Sequence, residues 1–139
     1  MTNASTSQAN HTPIKVGLVG YGWWGKTIAK QIATSQWLQL CAVAEIDAQA
    51  RKAMQNDPAL ANLTVYDAPE KLMAHKALDA VILCTPHQQH AQQMMLAAQA
   101  GLHVFCEKPL CLTLDDAQKA IAQFKARELV LGIGHERRF

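Results

Sequence analysis

The chain has 139 residues, of which 50% are hydrophobic and 17% charged, and its formal net charge is +2. This length is enough to bury one apolar core, whereas so small a charge does not favour nucleic acid or an anionic membrane as a partner. No apolar run approaches the roughly 18 residues that a membrane span needs. The first 13 residues also lack the basic start and apolar segment of a secretory signal. We therefore expect a cytoplasmic protein with a disordered polar tail at 1–13 and one domain at 14–139.

The cysteines favour the same compartment. None of them forms a C-x-x-C pair, and three lie in or beside apolar runs, as buried reduced thiols commonly do. The four are Cys41, Cys84, Cys106 and Cys111. We expect reduced thiols and no metal.

Short apolar runs alternate with amphipathic stretches after the tail. The bounded runs, rich in branched residues, predict six strands at 14–20, 38–45, 63–66, 79–84, 103–106 and 129–133. The stretches between them predict helices at 23–35, 48–55 and 68–75, a fourth that begins near His87 and ends at Gly101, and a fifth after Thr113.

The last two helices carry predicted buried faces. On the fourth helix, the spacing i, i+3, i+4, i+7 selects Ala91, Met94, Met95 and Ala98. On the fifth helix, the predicted stripe is Leu114, Ala117, Ile121 and Phe124. Thr113 is its predicted N-cap, with Asp116 three residues on, as in a relative of the capping box.

The alternation of strands and helices decides the fold class. Strands joined through helices pair in parallel by right-handed crossovers, and a parallel sheet covered on both faces explains the solid apolar runs. We predict a doubly wound α/β domain, a Rossmann fold.

The segment "KVGLVGYGWWGK" contains a G-x-G-x-x-G spacing. It follows the first predicted strand and opens the first helix, which is the context that a dinucleotide-binding motif requires. Gly20 allows the tight turn, Gly22 lets a pyrophosphate approach the backbone, and Gly25 lets the helix pack closely on the strand. The helix N-terminus then offers N–H groups to the phosphates.

An acidic residue is expected at the end of the second strand, where it binds the adenosine ribose. Glu45 stands there, and its carboxylate favours NAD because it repels the extra phosphate of NADP. Asp47 competes with it for this role, and Arg51 and Lys52 keep NADP as an alternative.

Two further polar segments follow predicted strands, at the edge where open α/β sheets bind ligands. In "CTPHQQH", Thr85 and Pro86 stiffen the loop, while His87 and His90 either face the cofactor or cap and solvate the start of a helix. A metal held by the two histidines is not expected, because no third ligand is evident.

The second segment is "CEKPL". Its Glu-Lys pair is an ordinary surface pair in one interpretation. In the other, Lys108, fixed by the following proline, anchors a substrate oxygen or assists proton transfer from a hydroxyl during hydride removal.

The segments "GLVGYGWWGK", "AVAEID", "DAVILCTPHQQHAQQMMLAAQAGLHVFCEKPL" and "GHERRF" together resemble the N-terminal domain of the glucose-fructose oxidoreductase / inositol dehydrogenase / MocA family. The resemblance runs from about residue 14 to 139. It implies NAD(P)-dependent oxidation or reduction of a sugar, polyol or related small molecule.

The resemblance also implies roles for single residues. Lys108 is the lysine that reaches the reacting hydroxyl or carbonyl, Glu107 holds the cofactor side of the cleft, and the Lys108–Pro109 bond is expected to be cis. Trp23 and Trp24 lie in the phosphate loop, where we expect one to pack in the core and the other to cover the pyrophosphate. Arg137 and Arg138 match a family arginine near the domain junction or form a plain surface pair.

Family members are more than twice as long as this chain and carry a second domain with the substrate pocket. Three hypotheses follow: an oxidoreductase fragment that binds NAD but is inactive alone, a stand-alone NAD(P)-binding module (a redox sensor or a subunit completed by another chain), or a domain for another nucleotide such as S-adenosylmethionine. We expect a small-molecule substrate only if a second domain is supplied. The isolated domain could be monomeric, or it could form a homodimer through apolar surface that the second domain would have covered.

Overall fold

The computed structural model of the protein describes residues 11–134. Residues 1–10 and 135–139 lie outside that part, and with them most of the predicted tail and the Arg137–Arg138 pair. The strands are β1 (Ile14–Val19), β2 (Leu38–Ala44), β3 (Thr64–Tyr66), β4 (Ala80–Leu83), β5 (His103–Glu107) and β6 (Leu131–Gly134). The helices are α1 (Trp23–Ala33), α2 (Ala48–Gln55), α3 (Pro69–Met73), α4 (His90–Gln99) and α5 (Leu114–Ala126), with 3₁₀ turns at Pro58–Leu60 and His87–Gln89.

All six strands form one sheet in the order β3-β2-β1-β4-β5-β6. Every neighbouring pair is parallel. The predicted doubly wound α/β fold is therefore confirmed, and each predicted strand is present with its ends shifted by at most two residues.

The order of the strands distributes the helices over the two faces of the sheet. From β1 the chain first moves toward β3 and later returns past β1 toward β6, so right-handed crossovers place the two sets of helices on opposite faces. One core cluster joins α1 and α2 to the sheet and includes Leu18, Ile32 and Met54. The other joins α3, α4 and α5 to the sheet and includes Leu83 and Phe124.

Within residues 11–134, this distribution leaves part of one face of the sheet without a helix. On the α1 side of β4, β5 and β6, an apolar groove of about 510 Å³ runs beside Ile28, Ile82 and Phe105. Phe105 is 40% exposed and Val130, also in the groove, is 66% exposed. We call this surface, made by Ile28, Ile82, Phe105 and Val130, the open groove.

The predicted buried stripe of α5 is wrong in part. Leu114 and Ile121 are exposed, whereas Ala120 and Phe124 are buried. The helix packs against α4. Ala120 and Phe124, four residues apart, share one face of the helix and both belong to the core cluster on that side of the sheet, so Ala120 faces inward in place of Ile121. The predicted N-cap of α5 is confirmed, because the Thr113 hydroxyl oxygen accepts a hydrogen bond from the Asp116 N–H at 3.1 Å.

The face of α4 is close to the prediction. Met94 and Ala98 are fully buried, as expected, and Ala97 is buried beside them. Ala91 and Met95 are only partly buried.

The turn between β1 and α1 requires glycine at two positions. Gly20 has a φ of +94°, and an added Cβ there would lie 2.5 Å from the Cys84 carbonyl oxygen. A Cβ on Gly25 would overlap the carbonyl oxygen of Gly20, so the first turn of α1 packs directly on the backbone of the turn. By contrast, a Cβ on Gly22 would meet no atom within 4 Å.

These contacts predict that two small substitutions in the turn differ in their effect on stability. Gly25→Ala should lower the free energy of unfolding by about 1–3 kcal/mol, because the new methyl group overlaps backbone that cannot move away. Gly22→Ser should change it by less than about 0.5 kcal/mol, because the site is open and serine is a good N-cap residue. Urea unfolding followed by circular dichroism measures both. Equal urea midpoints for the two variants would contradict this account.

Candidate functional site

The carboxyl ends of β1, β2 and β4 meet at a cleft of about 260 Å³. The strand order reverses at β1, and in open α/β sheets ligands bind at such a switch point. Five of the predicted site residues line this cleft, namely Gly20, Gly22, Glu45, Thr85 and Pro86. Six lining residues were not among the predicted site residues, namely Val19, Ala44, Ile46, Pro69, Cys84 and Gln89.

The N-terminus of α1 lies at this cleft and lacks a side-chain cap. Gly22 is the N-cap residue and makes no capping hydrogen bond, and the first turn contains no acidic residue. The first N–H groups of a helix have no intrahelical partner and carry a partial positive charge. Together with the open space beside Gly22, they form a place where an anion can approach the backbone.

Glu45 is held at the edge of the same cleft by the backbone. Its two carboxylate oxygens accept hydrogen bonds from the N–H of Tyr21 at 2.8 Å and from the N–H of Asp47 at 3.0 Å. Each oxygen keeps a further lone pair, so the carboxylate can still accept from ligand hydroxyl groups. Glu45 therefore also fixes the position of the glycine turn.

Asp47, the predicted alternative to Glu45, and the basic residues Arg51 and Lys52, which kept NADP as an alternative, lie in different surroundings. Asp47 caps α2, where its Oδ1 accepts from the N–H of Gln49 at 2.8 Å, and it does not line the cleft. Arg51 donates from its guanidinium to the carbonyl oxygens of Glu45 and Ile46, at 2.9 and 2.8 Å. This arginine holds the end of β2, and Lys52 is exposed.

Neither tryptophan packs in the core, so that part of the prediction is wrong. Trp23 is 79% exposed, and Trp24 is half-buried but belongs to neither core cluster. Both are in the first turn of α1, directly after the glycine turn. The indole N–H of Trp24 is buried without a hydrogen-bond partner among the described residues, so it is an unused donor beside the glycine turn.

A side-chain network that sequence reasoning missed orients Gln89 in the cleft. The Thr85 hydroxyl donates to Gln93 Oε1 at 2.5 Å, and Gln93 Nε2 donates to Gln89 Oε1 at 3.1 Å. Gln93 is only 4% exposed. Because the Gln89 oxygen is occupied, its amide nitrogen is left to donate elsewhere. The i, i+4 spacing of the glutamines was the only sequence signal for this network.

The two histidines of the same segment have different environments. His87 is exposed at the start of the 3₁₀ turn, whereas His90 is completely buried at the start of α4. Their ring centroids are 5.8 Å apart. Both ring nitrogens of His90 already face backbone carbonyl oxygens of Thr85 and Pro109.

The predicted Glu107–Lys108 segment ends β5. The Lys108–Pro109 bond is cis, as expected. Lys108 is exposed and makes no side-chain hydrogen bond or ion pair with the described residues, and it lies outside the cleft lining. Glu107 pairs in register with Gly134 of β6, and its carboxylate lies against that glycine.

Burial keeps the two thiols at this edge of the sheet, Cys84 and Cys106, protonated at neutral pH. Burial, with a smaller effect of the Glu107 carboxylate, raises the pKa of Cys84 to about 12. Burial also raises the pKa of Cys106 to about 12, with smaller effects of Cys111 and Glu107. All four cysteines are free, as expected of reduced thiols.

Residues 11–134 contain no group of three or more histidine, cysteine or acidic side chains that could hold a metal ion. Within the same range, no helix is long and apolar enough to cross a membrane.

The donors at the cleft fit a dinucleotide. Among the described residues, no side chain occupies the space beside Gly22 and none caps the N-terminal N–H groups of α1. An apolar side chain, Ile46, is 70% exposed next to the Glu45 carboxylate, so a flat base and a ribose can be recognised side by side.

Comparison with known proteins agrees with this geometry. The family model described as "Oxidoreductase family, NAD-binding Rossmann fold" (GFO_IDH_MocA) matches residues 14–135. The myo-inositol 2-dehydrogenase of Thermotoga maritima is 29% identical over 126 residues, and the inositol 2-dehydrogenase of Rhizobium meliloti is 32% identical over 126 residues. Each alignment covers 91% of this chain but only 37% of the dehydrogenase.

Solved structures show the same relationship. The scyllo-inositol dehydrogenase of Lactobacillus casei, solved with bound NAD(H) and scyllo-inositol, superimposes with a TM-score of 0.83 at 31% identity. The match covers 92% of this chain and 38% of that one. The chain therefore belongs to the glucose-fructose oxidoreductase / inositol dehydrogenase / MocA family, and it forms the NAD-binding Rossmann domain of that family.

Proposed function

We propose that this chain is the nucleotide-binding part of an NAD(P)-dependent oxidoreductase that acts on a sugar, a polyol or a related small molecule. The observation that carries the proposal is the cleft in which the glycine turn and the Glu45 carboxylate meet at the switch point of the sheet. The inositol dehydrogenases among its relatives support the substrate class. The family assignment favours NAD over S-adenosylmethionine.

Each part of the cleft has a role in this proposal. The backbone from Gly20 to Gly25 and the N-terminus of α1 hold the pyrophosphate, with Trp23 as an exposed cover. Glu45 accepts hydrogen bonds from the adenosine ribose, and Ile46 packs against the adenine. Thr85 and Pro86 form the opposite wall.

Bound NAD supplies the hydride acceptor for this chemistry, and NADH the donor. Lys108 is the proposed catalytic residue, because its exposed amino group lies at a strand end on the ligand side of the sheet. In this role it takes the proton of a substrate hydroxyl during oxidation and returns it during reduction. Glu107 and His87 are proposed to line the cofactor side of this loop.

A titration with NADH tests the binding proposal. We expect a saturable change in tryptophan emission, since Trp23 and Trp24 lie at the glycine turn. Gly22→Ser should weaken NADH binding at least tenfold, or about 1.4 kcal/mol, because its side chain fills the open space and its hydroxyl competes for the helix N–H groups. Lys30→Ala, on the exposed side of the same helix, is the matched control. No saturable change up to millimolar NADH would refute the proposal.

Replacement of Glu45 tests the preference for NAD. Glu45→Gln removes the charge that repels the extra phosphate of NADP, so the ratio of NADP to NAD affinity should rise about tenfold. Asp47→Asn keeps the helix cap and should leave this ratio unchanged. Isothermal titration of both nucleotides against both variants measures the ratios. The assignment is wrong if Asp47→Asn shifts the ratio as much as Glu45→Gln does.

The remaining part of the active site is proposed to lie in other sequence. Since the chain covers only 37% of the inositol dehydrogenases, we place the substrate pocket in the part of these relatives that has no counterpart here. The purified 139-residue chain should then bind NAD but form no NADH from inositols or sugars, as followed by absorbance at 340 nm. Saturable turnover that Lys108→Met abolishes would contradict this expectation.

The alternative is a stand-alone NAD(P)-binding module that acts without catalysis, as a redox sensor or as a subunit completed by another chain. In either case the open groove is the surface through which the isolated domain would form a homodimer, because its apolar side chains are left uncovered.

A further inference from the structure

His90 is the buried residue between the two loops that carry the proposed site. Its side chain is completely inaccessible to solvent, although it stands at the first position of α4. The loop after β4 contains Thr85 and Pro86, and the loop after β5 contains Lys108 and Pro109. A direct contact of His90 with a nucleotide does not agree with this burial, so the residue needs another role.

The hydrogen bonds of the ring connect the two loops. Nδ1 lies 2.8 Å from the carbonyl oxygen of Pro109, and Nε2 lies 3.0 Å from the carbonyl oxygen of Thr85. Both partners are backbone carbonyl oxygens, which only accept hydrogen bonds. A neutral imidazole has one N–H and can donate to one of them, whereas the doubly protonated ring can donate to both.

We propose that His90 is a positioning residue that ties the Lys108 loop to the Thr85 loop, and that the complete tie needs both ring protons. The inference deepens the proposed function, because the tied loops carry Lys108 on one side and the cleft wall on the other. With one proton, the ring holds only one loop, and the second nitrogen faces an oxygen with no proton between them. The placement of Lys108 relative to the cleft is then free to change.

The ring lies at the first position of α4, between two carbonyl oxygens at 3.0 Å or less. The titratable side chains on the two loops and on the strand ends that lead into them are those of Cys84, His87, Cys106, Glu107, Lys108 and Cys111. Burial raises the pKa of the three thiols, so His87, Glu107 and Lys108 are the side chains of these segments that can carry a charge near neutral pH.

Nuclear magnetic resonance of the ¹⁵N-labelled, nucleotide-free chain tests the tie directly. Between pH 5 and pH 9 we expect both ring nitrogens of His90 to carry protons at the acidic end. Loss of one proton should shift the backbone amide signals of Thr85, Lys108 and Leu110 with the same midpoint. The signals of His90 are assigned by their disappearance in His90→Gln. A ring that keeps a single N–H throughout, or a titration that leaves those amides unmoved, would overturn the proposal.

The consequence for binding is measured with NAD. In His90→Gln a single amide nitrogen replaces the two ring nitrogens that face the two loops, so we expect its NAD affinity to be at least fivefold weaker than that of the wild type and independent of the His90 titration. The wild-type affinity should fall as His90 loses its second proton. His103→Asn is the control, since His103 also uses a ring nitrogen for a backbone contact, accepting from the Val130 N–H at 2.9 Å, but at the opposite end of β5.

The magnetic resonance titration and the NAD binding measurement together distinguish failure of the proposed function from failure of the His90 inference. If the wild type binds no NAD, the proposed function fails, while the nucleotide-free spectra still decide whether the tie exists. If His90→Gln binds NAD with wild-type affinity and the same pH profile, His90 has no positioning role and the inference is wrong.

Discussion

The crevice between the carboxyl ends of β1 and β4 exists because parallel crossovers are right-handed. A chain that leaves β1 toward β3 and later returns past β1 toward β6 must carry its helices on opposite faces. The connection after β1 therefore runs to one side and the connection after β4 to the other, and no crossover among the described residues covers the carboxyl ends of β1 and β4. The glycine turn, Glu45 and the Thr85 loop gather at this one gap, and the proposed nucleotide-binding roles depend on it.

Backbone groups, more than side chains, build the site. Gly20 can turn because it has no Cβ to meet the Cys84 carbonyl, and Gly25 can pack because it has none to meet Gly20. Glu45 accepts from the N–H of Tyr21 at one edge of the cleft, while His90 faces two carbonyl oxygens at the other. Hydrogen bonds from side chains to the backbone hold these loops in one conformation before a ligand binds. This lowers the entropy cost of ordering the loops on binding.

The same topology that creates the crevice also leaves the open groove. The three connections that run toward β6 all lie on the α3–α5 side, so the opposite face of β4, β5 and β6 has no helix among the described residues. Phe105 and Val130 are consequently exposed at positions where a doubly wound sheet is normally covered. A domain with a complete core on one face and half a core on the other is suited to pack against further structure.

Local sequence pattern was sufficient to predict the strands, the helices, the fold class and the glycine turn. These features depend on apolar runs, glycine spacing and capping residues, which involve only residues a few positions apart. It also placed Glu45 and Lys108 at strand ends, since the end of a strand can be read from where its apolar run stops. Pattern was insufficient for the rotation of α5, where the close contact with α4 buries Ala120 and exposes Ile121. Pattern also could not predict that Trp24 is half-buried and lies outside both core clusters.

The amino-acid sequence by itself determined that this is a parallel α/β domain with a dinucleotide-type turn and polar loops at one edge of the sheet. Only the tertiary structure decided that Asp47 caps a helix while Glu45 lines the cleft, that Gln93 orients Gln89, and that His90 is buried between two loops. The physical reason is distance along the chain. Caps and turns depend on residues three or four positions apart, whereas the contact of His90 with Pro109 joins positions 19 residues apart that meet only when β4 and β5 pair.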